Sequence, residues 1–412
     1  MPRDGDLVIS QTKSRRDNSR TLQILLKLAQ HLPVGSITIT GPDLVQHHFA
    51  GDEPGPDAVL NIHHERCIRR FMTGGILGFN EAYLEGDWSS PDIAQLFEFA
   101  LLNEKAMREI LLGKPWYRFI AGIGHMFRPN TKRGAKRNIS AHYDLGNQFY
   151  ETWLDSSMTY SSALFTNPNA PERQENLTQA QWRKYENLAQ QLNLKPGMHV
   201  LEVGCGWGGF AEHAAKHHGA RVTAITISRE QFDYAKKRIA DAGLDHLVEI
   251  RFQDYRDVTE KFDAIASIEM FEAVGEAYWP RFFSQIRERL KPDGRAALQI
   301  ITIQDHRFDH YRQHADYIQK YIFPGGMLPS PSVLKQQVKS AGLRFDETLN
   351  FGRSYAETLA RWNECFQARW PEIRKMGFDG RFKRMWEQYL AYCQAGFQTG
   401  AIDVVQVALV RD

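Results

Sequence analysis

Cysteine is scarce in this chain. The four residues, Cys67, Cys205, Cys365 and Cys393, lie far apart among 412 and form no C-x-x-C pair. That spacing argues against a disulfide framework and a cysteine-ligated zinc site, and it fits a reducing compartment. An excess of charge of one sign is also missing. The formal net charge is +2, so no strong global field is expected and any basic contact site must be local. No apolar run is long enough to span a bilayer, so any membrane role is peripheral. The first residues, Met1 to Asp6, are polar and do not read as a signal peptide. Internal repeats and low-complexity tracts are absent. With 42% hydrophobic and 24% charged residues, the chain reads as ordinary globular protein, long enough for two domains.

Residues 1–20 are polar and charged and read as disordered. Residues 21–112 read as a small α/β domain, fit either for lipid binding or for association. Alternating apolar patterns predict a helix over 21–32, strands at 36–40 and 59–63, and helices over 67–72 and 78–84. Gly41-Pro42-Asp43 marks a turn, and Ser90-Pro91 is expected to open the next helix. Residues 113–140 change character. Lys114, Arg118, Arg128, Lys132, Arg133, Lys136 and Arg137 occur with no Asp or Glu between them, interleaved with Trp116, Tyr117, Phe119 and Phe127. Such a basic amphipathic linker fits an anionic membrane surface, and a plain solvated linker fits it about equally well. Nothing else in the chain supports a nucleic-acid partner.

The larger unit, 141–412, contains the most informative run, His199 to Phe210, reading H-V-L-E-V-G-C-G-W-G-G-F. An apolar strand carries an acid at its end, a glycine-rich turn follows, and a helix begins. Glycines at 204 and 206 lack the Cβ atoms that would keep a ligand off the backbone. The spacing G-x-G-x-G-G differs from the G-x-G-x-x-G turn that cradles a pyrophosphate. It resembles the cofactor turn of S-adenosylmethionine methyltransferases. Further strands are predicted at 220–228, 248–252, 262–267, 295–301, near 344–349 and at 404–410. Alternation with helices predicts a parallel sheet covered on both faces, with ligands at the carboxyl ends of its strands. The aromatic-rich stretch 355–396 reads as helices inserted before the last strand.

Four segments accompany one another. I-S-A-H-Y-D-L-G-N-Q-F-Y at 139–150 leads to M-T-Y-S-S-A at 158–163; I-E-M-F-E-A-V-G stands at 268–275 and K-Y-I-F-P-G-G-M-L-P-S at 320–330. With the glycine turn they resemble the cyclopropane fatty-acyl-phospholipid synthase family, over 60–412 and most strongly over 138–330. The resemblance implies an α/β fold of the class I methyltransferase kind: a Rossmann-like, doubly wound, seven-stranded sheet with helical insertions, beside the smaller N-terminal domain. It implies S-adenosylmethionine as methyl donor and the unsaturated acyl chains of membrane phospholipid as acceptor. The protein would then be cytoplasmic and peripheral to the inner face of the membrane; self-association stays open. Tyr160 and Ser161 would contact the methionine end, Gly204 and Gly206 would lie under the cofactor, Thr226 and Gln231 would reach the ribose, and Gln253, Asp254 and Tyr255 would bracket the adenine.

The chemistry implied is demanding. An alkene is a poor nucleophile and must be held against the sulfonium methyl in near-attack geometry. Methyl transfer leaves a carbocation, which aromatic faces stabilise, and a base then removes a proton. In the family that base is a bicarbonate ion held by a cysteine backbone, a glutamate, a histidine, an isoleucine backbone and a tyrosine. Here Glu272 and Tyr355 match the glutamate and tyrosine, and Ile303 matches the isoleucine. Ser162 replaces the cysteine and Ile301 the histidine, and Ala273 stands where a histidine usually follows the glutamate. The ion is then held more weakly, or Glu272 becomes the base, or another group stands in. Cyclopropane formation is the expected outcome, with methyl branching that retains a double bond as the alternative. A non-catalytic lipid-binding module is a further reading, disfavoured by Glu272 and Tyr355. Methylation of nucleic acid is disfavoured because no N-P-P-Y-like motif and no Pro-Cys pair occur. No metal site is expected, since His47-His48 and His217-His218 lack a carboxylate or cysteine partner at ligand spacing.

Overall fold

The computed structural model describes residues 20–112, 145–169 and 175–412. The expected disorder of 1–20 and the basic linker 113–140 lie outside the described residues, apart from Arg20 at a helix start.

The first part runs α1 (Arg20–Ala29), β1 (Val34–Thr40), β2 (Gln46–Ala50), β3 (Glu53–Ile62), α2 (Arg66–Leu84), β4 (Trp88–Ser89), α3 (Ile93–Leu102) and α4 (Glu104–Leu112). Its sheet has the order β2-β1-β3-β4. Ile37 and Ile39 point inward from β1 while the residues between them stay half exposed, the alternation of a sheet with one buried face. β2 was not expected from the sequence. It is an edge strand whose Gln46-His47-His48 start carries no apolar alternation. α2 joins the two expected helices across a break at Gly75, with φ 57 and ψ −146. The cap of α3 is Asp92, which accepts the Gln95 N–H, so the helix opens two residues after the expected Ser90-Pro91 start.

The second part contains α5 (Asn147–Trp153), α6 (Leu177–Gln191), β5 (His199–Val203), α7 (Gly209–His218), β6 (Arg221–Thr226), α8 (Arg229–Asp241), β7 (Val248–Phe252) and β8 (Phe262–Ile268). After these come α9 (Trp279–Arg289), β9 (Leu290–Ile303), α10 (Asp305–Gln313), α11 (Pro331–Ser340), β10 (Leu343–Asn350), α12 (Gly352–Lys375), α13 (Gly380–Gln398) and β11 (Ile402–Arg411). The seven strands lie in the order β10-β11-β9-β8-β5-β6-β7. β5 through β9 pair in parallel and β11 is antiparallel to both of its neighbours. This is the class I methyltransferase sheet. Strand order reverses between β5 and β8, so the ligand crevice is expected at their carboxyl ends. The glycine turn follows β5, and Glu269 to Glu272 follow β8.

α12 and α13 are the expected insertion before β11. Trp362, Phe366 and Trp386 from this pair pack with Phe149 and Trp153 of α5. α13 also closes the core of the first part. Ala391 and Ala395 are buried in it, and Tyr392 meets Phe97 of α3 edge-to-face at 5.5 Å.

Candidate active site

Three glycines make the turn after β5. Gly204, Gly206 and Gly208 have φ of 81, 52 and 84, values that cost an L-residue about 1–2 kcal/mol each. A Cβ on Gly204 would lie 2.6 Å from Met270 Cγ, whereas one on Gly206 would meet nothing within 4 Å. The turn is therefore packed on one side and open to a ligand on the other.

The opening is part of one cavity of about 1120 Å³. That exceeds the roughly 300–1,000 Å³ common for a single-ligand pocket, so it has room for two ligands side by side. All nine residues expected at the cofactor, Tyr160, Ser161, Gly204, Gly206, Thr226, Gln231, Gln253, Asp254 and Tyr255, border it. Thr226 Oγ1 donates to Gln231 Oε1 at 3.0 Å and accepts the Ser228 N–H at 3.1 Å. The Gln253 N–H donates to Thr226 O at 3.0 Å, which ties the ends of β6 and β7 together. Asp254, expected beside the adenine, is engaged by its own turn. Its carboxylate takes the Arg256 N–H at 2.9 Å and the Arg256 guanidinium at 2.8 and 2.6 Å. Its part is to hold the turn that presents Tyr255.

Glu202, the acid near the end of β5, borders the same cavity, and one of its oxygens has no partner. Burial pushes its carboxyl up to about 8. An orphaned acceptor there, a turn open at Gly206, a hydroxyl–amide pair at the end of β6 and an aromatic ring after β7 fit an ammonium, a ribose and a flat base. They fit S-adenosylmethionine.

The candidate base site lies across the switch point. Glu272 and Tyr355 border the cavity as expected, as do Ile301, Ile303 and Ala273. Ser162 does not. It is fully buried, and its hydroxyl turns back to donate to Ala163 O at 2.9 Å. Its backbone N–H donates to Glu269 Oε1 at 2.8 Å. Gln299 Nε2 donates to the same oxygen at 2.7 Å, and the Tyr355 hydroxyl donates to Glu269 Oε2 at 2.6 Å. The Ile303 N–H donates to Pro329 O at 3.0 Å. Glu272 Oε1 accepts the Ile301 N–H at 2.5 Å, and its Oε2 has no partner. Burial and the neighbouring Glu269 charge push Glu272 up to about 8. Burial also raises Glu269, opposed by its hydrogen bonds to Tyr355 and Ser162 and by the Lys184 charge. Bicarbonate does not fit this site. The Ser162 N–H, the Ile303 N–H and the Tyr355 hydroxyl, which the resemblance would turn toward the ion, are all used by the protein itself.

Sequence reasoning missed Glu269, Gln299 and Lys184. Lys184 is wholly buried on α6, donates to Ser161 Oγ at 2.7 Å, and is pushed down to about 7 by burial. The available signal for Glu269 was a second acid three residues before Glu272 at a strand end. The histidines near α7 also differ from expectation. Glu186 of α6 accepts hydrogen bonds from His213 and His218 at 3.1 and 3.0 Å, so a carboxylate partner is present in space though not in sequence.

Fold, turn and cavity define an S-adenosylmethionine-dependent methyltransferase. Residues 130–407 match the model of the mycolic acid cyclopropane synthetase family, and the chain belongs to that family of cyclopropane fatty-acyl synthases. The chain is 38% identical to the tuberculostearic acid methyltransferase UfaA1 of Mycobacterium tuberculosis, over 95% of this chain and 90% of that one. It is 36% identical to the cyclopropane-fatty-acyl-phospholipid synthase of Escherichia coli, over 86% and 88%. Among solved structures, the mycolic acid cyclopropane synthase CmaA1 complexed with SAH and CTAB superposes with a TM-score of 0.61 at 28% identity, covering 69% of this chain and 99% of that one. The protein is a C-methyltransferase related to enzymes of lipid acyl chains.

Proposed function

We propose that this enzyme methylates the double bond of an unsaturated acyl chain in membrane phospholipid, and that its product is a methyl-branched chain retaining a double bond. The observation that carries the reading is one continuous cavity. It joins the glycine turn to an apolar wall built by Phe71, Leu77, Phe97, Leu101 and Met107 of the first part. Such a wall accepts an alkyl chain and excludes water from a cationic centre.

S-adenosylmethionine supplies an electrophilic methyl group when bound. The protein's part is to position and shield. Gly206 leaves the backbone open to the cofactor, Gly204 makes room for Met270 behind the turn, and Thr226 and Gln231 receive the cofactor's hydroxyls. Tyr160, Phe323 and Tyr389 face the cavity beside the acid pair and offer π faces to a developing cation. The phospholipid reading is supported by α4 and α10, where Arg108 and Arg307 border the cavity and share one carboxylate, Glu104. That leaves one positive charge in excess for a phosphate. Location at the inner face of the membrane belongs to this proposal. No helix among the described residues is long and apolar enough to cross a bilayer.

The branched product is favoured by the altered base site, and a cyclopropane remains the second reading because of the 36% relative. Incubation with S-adenosylmethionine and vesicles of cis-unsaturated phosphatidylglycerol is expected to give a methylated acyl chain that ozone still cleaves. An ozone-resistant methylated chain would establish ring closure instead, and unmethylated lipid would end the whole reading.

A further inference from the structure

Glu269 follows the last residue of β8 and has a left-handed backbone, φ 49. That conformation costs a non-glycine residue about 1–2 kcal/mol, and it persists where the surroundings over-determine the position. Three donors do so here. Ser162 N–H and Gln299 Nε2 hold Oε1, and the Tyr355 hydroxyl holds Oε2. Ser162 N–H and Tyr355 are two of the groups that the family resemblance assigns to a bound bicarbonate.

We propose that Glu269 is the catalytic base, its carboxylate built into the place where relatives would hold a bicarbonate ion. The proposal rests on methyl transfer to an acyl double bond and adds the identity of the proton acceptor. The alkene π pair forms the new C–C bond as the methyl–sulfur bond breaks with its pair on sulfur, leaving the adjacent chain carbon cationic. Oε2 accepts one hydrogen bond and Oε1 two, so Oε2 has the freer lone pair. It takes the proton of a C–H bond beside the cation. The electron pair of that bond becomes a double bond, or the third side of a ring, and the proton stays on Glu269 until product leaves and water enters. A base fixed to the backbone takes whichever hydrogen faces it, which need not belong to the new methyl group. Lys184, Tyr355 and Glu272 face Glu269. Burial raises the Glu269 carboxyl, the Tyr355 hydrogen bond and the Lys184 charge oppose that rise, and burial raises Glu272 as well, which limits the repulsion between the two acids.

The test uses the full chain as wild type, Glu269→Gly and Glu269→Gln. Glycine relieves the left-handed backbone and empties the anion site, so the Gly variant is expected to fold. In carbonate-free buffer the wild type should methylate vesicles at its full rate, and both variants should lose about 100-fold or more while still binding S-adenosylhomocysteine. Added bicarbonate should restore the Gly variant and leave the Gln variant inactive. In ¹³C NMR, labelled bicarbonate should bind the Gly variant and not the wild type. A bound signal in the wild type, loss of its activity on removing carbonate, or full activity of Glu269→Gly without an added anion would each overturn the proposal. Failure of the wild type to methylate any lipid would instead count against the proposed function, with the NMR result still deciding what occupies the anion site.

Discussion

Glu272 shows how a neighbour sets a proton. Its carboxyl is raised to about 8 by burial and by Glu269, against an ordinary value of about 4.3 in the unfolded chain. Between those values the folded state holds a proton that the unfolded state has released. Stability from this group is therefore full below about pH 4 and falls as pH rises through about 8. Glu272→Gln removes the titration, so the melting temperature of the wild type should drop relative to that variant between pH 5 and pH 9. Parallel melting curves would contradict the assignment. At this scale the cofactor side was legible, because glycine at 204 and 206 answers a local need that sequence displays: positive φ and no Cβ. The base side was not. Glu272 and Tyr355 were readable by motif, but Glu269 acquires its meaning from Ser162, Gln299 and Tyr355. These lie 107, 30 and 86 residues away in the chain.

The strands of the large sheet were legible as elements because β5, β6, β8 and β9 are largely buried and read as apolar runs between turns, while the edge strand β7 alternates apolar and polar residues. Among the elements that escaped was β2, whose polar start has no periodicity to read, and the α3 cap was misplaced by two residues. α2 is the informative intermediate case. Two helical stretches separated by Gly74-Gly75 were visible, but not that the break faces the apolar part of the cavity. Gly75 has φ 57 and ψ −146, and a Cβ there would touch nothing within 4 Å. The cost of Gly75→Ala is then purely conformational, about 1–3 kcal/mol, unless the break relaxes and moves Phe71 to Leu77. The expected result is a raised KM for lipid vesicles with an unchanged KM for S-adenosylmethionine. Equal changes in both would mean that the break serves general stability.

Over the whole molecule, one cavity is shared by two sheets that the sequence presented as separate units. Their junction was unreadable because its residues, Ala391 and Ala395 on α13, look like any helical alanines, and only packing shows them closing the core under α3. The first part is therefore wall as well as neighbour: Phe97, Leu101 and Met107 line the apolar end, while the glycine turn and β6 line the opposite end. A change confined to the first part should separate the two ligands energetically. Met107→Glu places a carboxylate on the apolar wall, where an unpaired charge is strongly disfavoured beside an alkyl chain. Because Met107 is only partly buried on α4, the side chain can reach water in the empty enzyme and the fold should persist. Calorimetry should find S-adenosylhomocysteine binding unchanged while turnover of vesicle lipid falls about 10-fold or more, since a lost 1.4 kcal/mol already costs a factor of ten. If Met107→Glu methylates lipid at the wild-type rate, the acyl chain runs elsewhere, and the first part has a role other than holding the substrate.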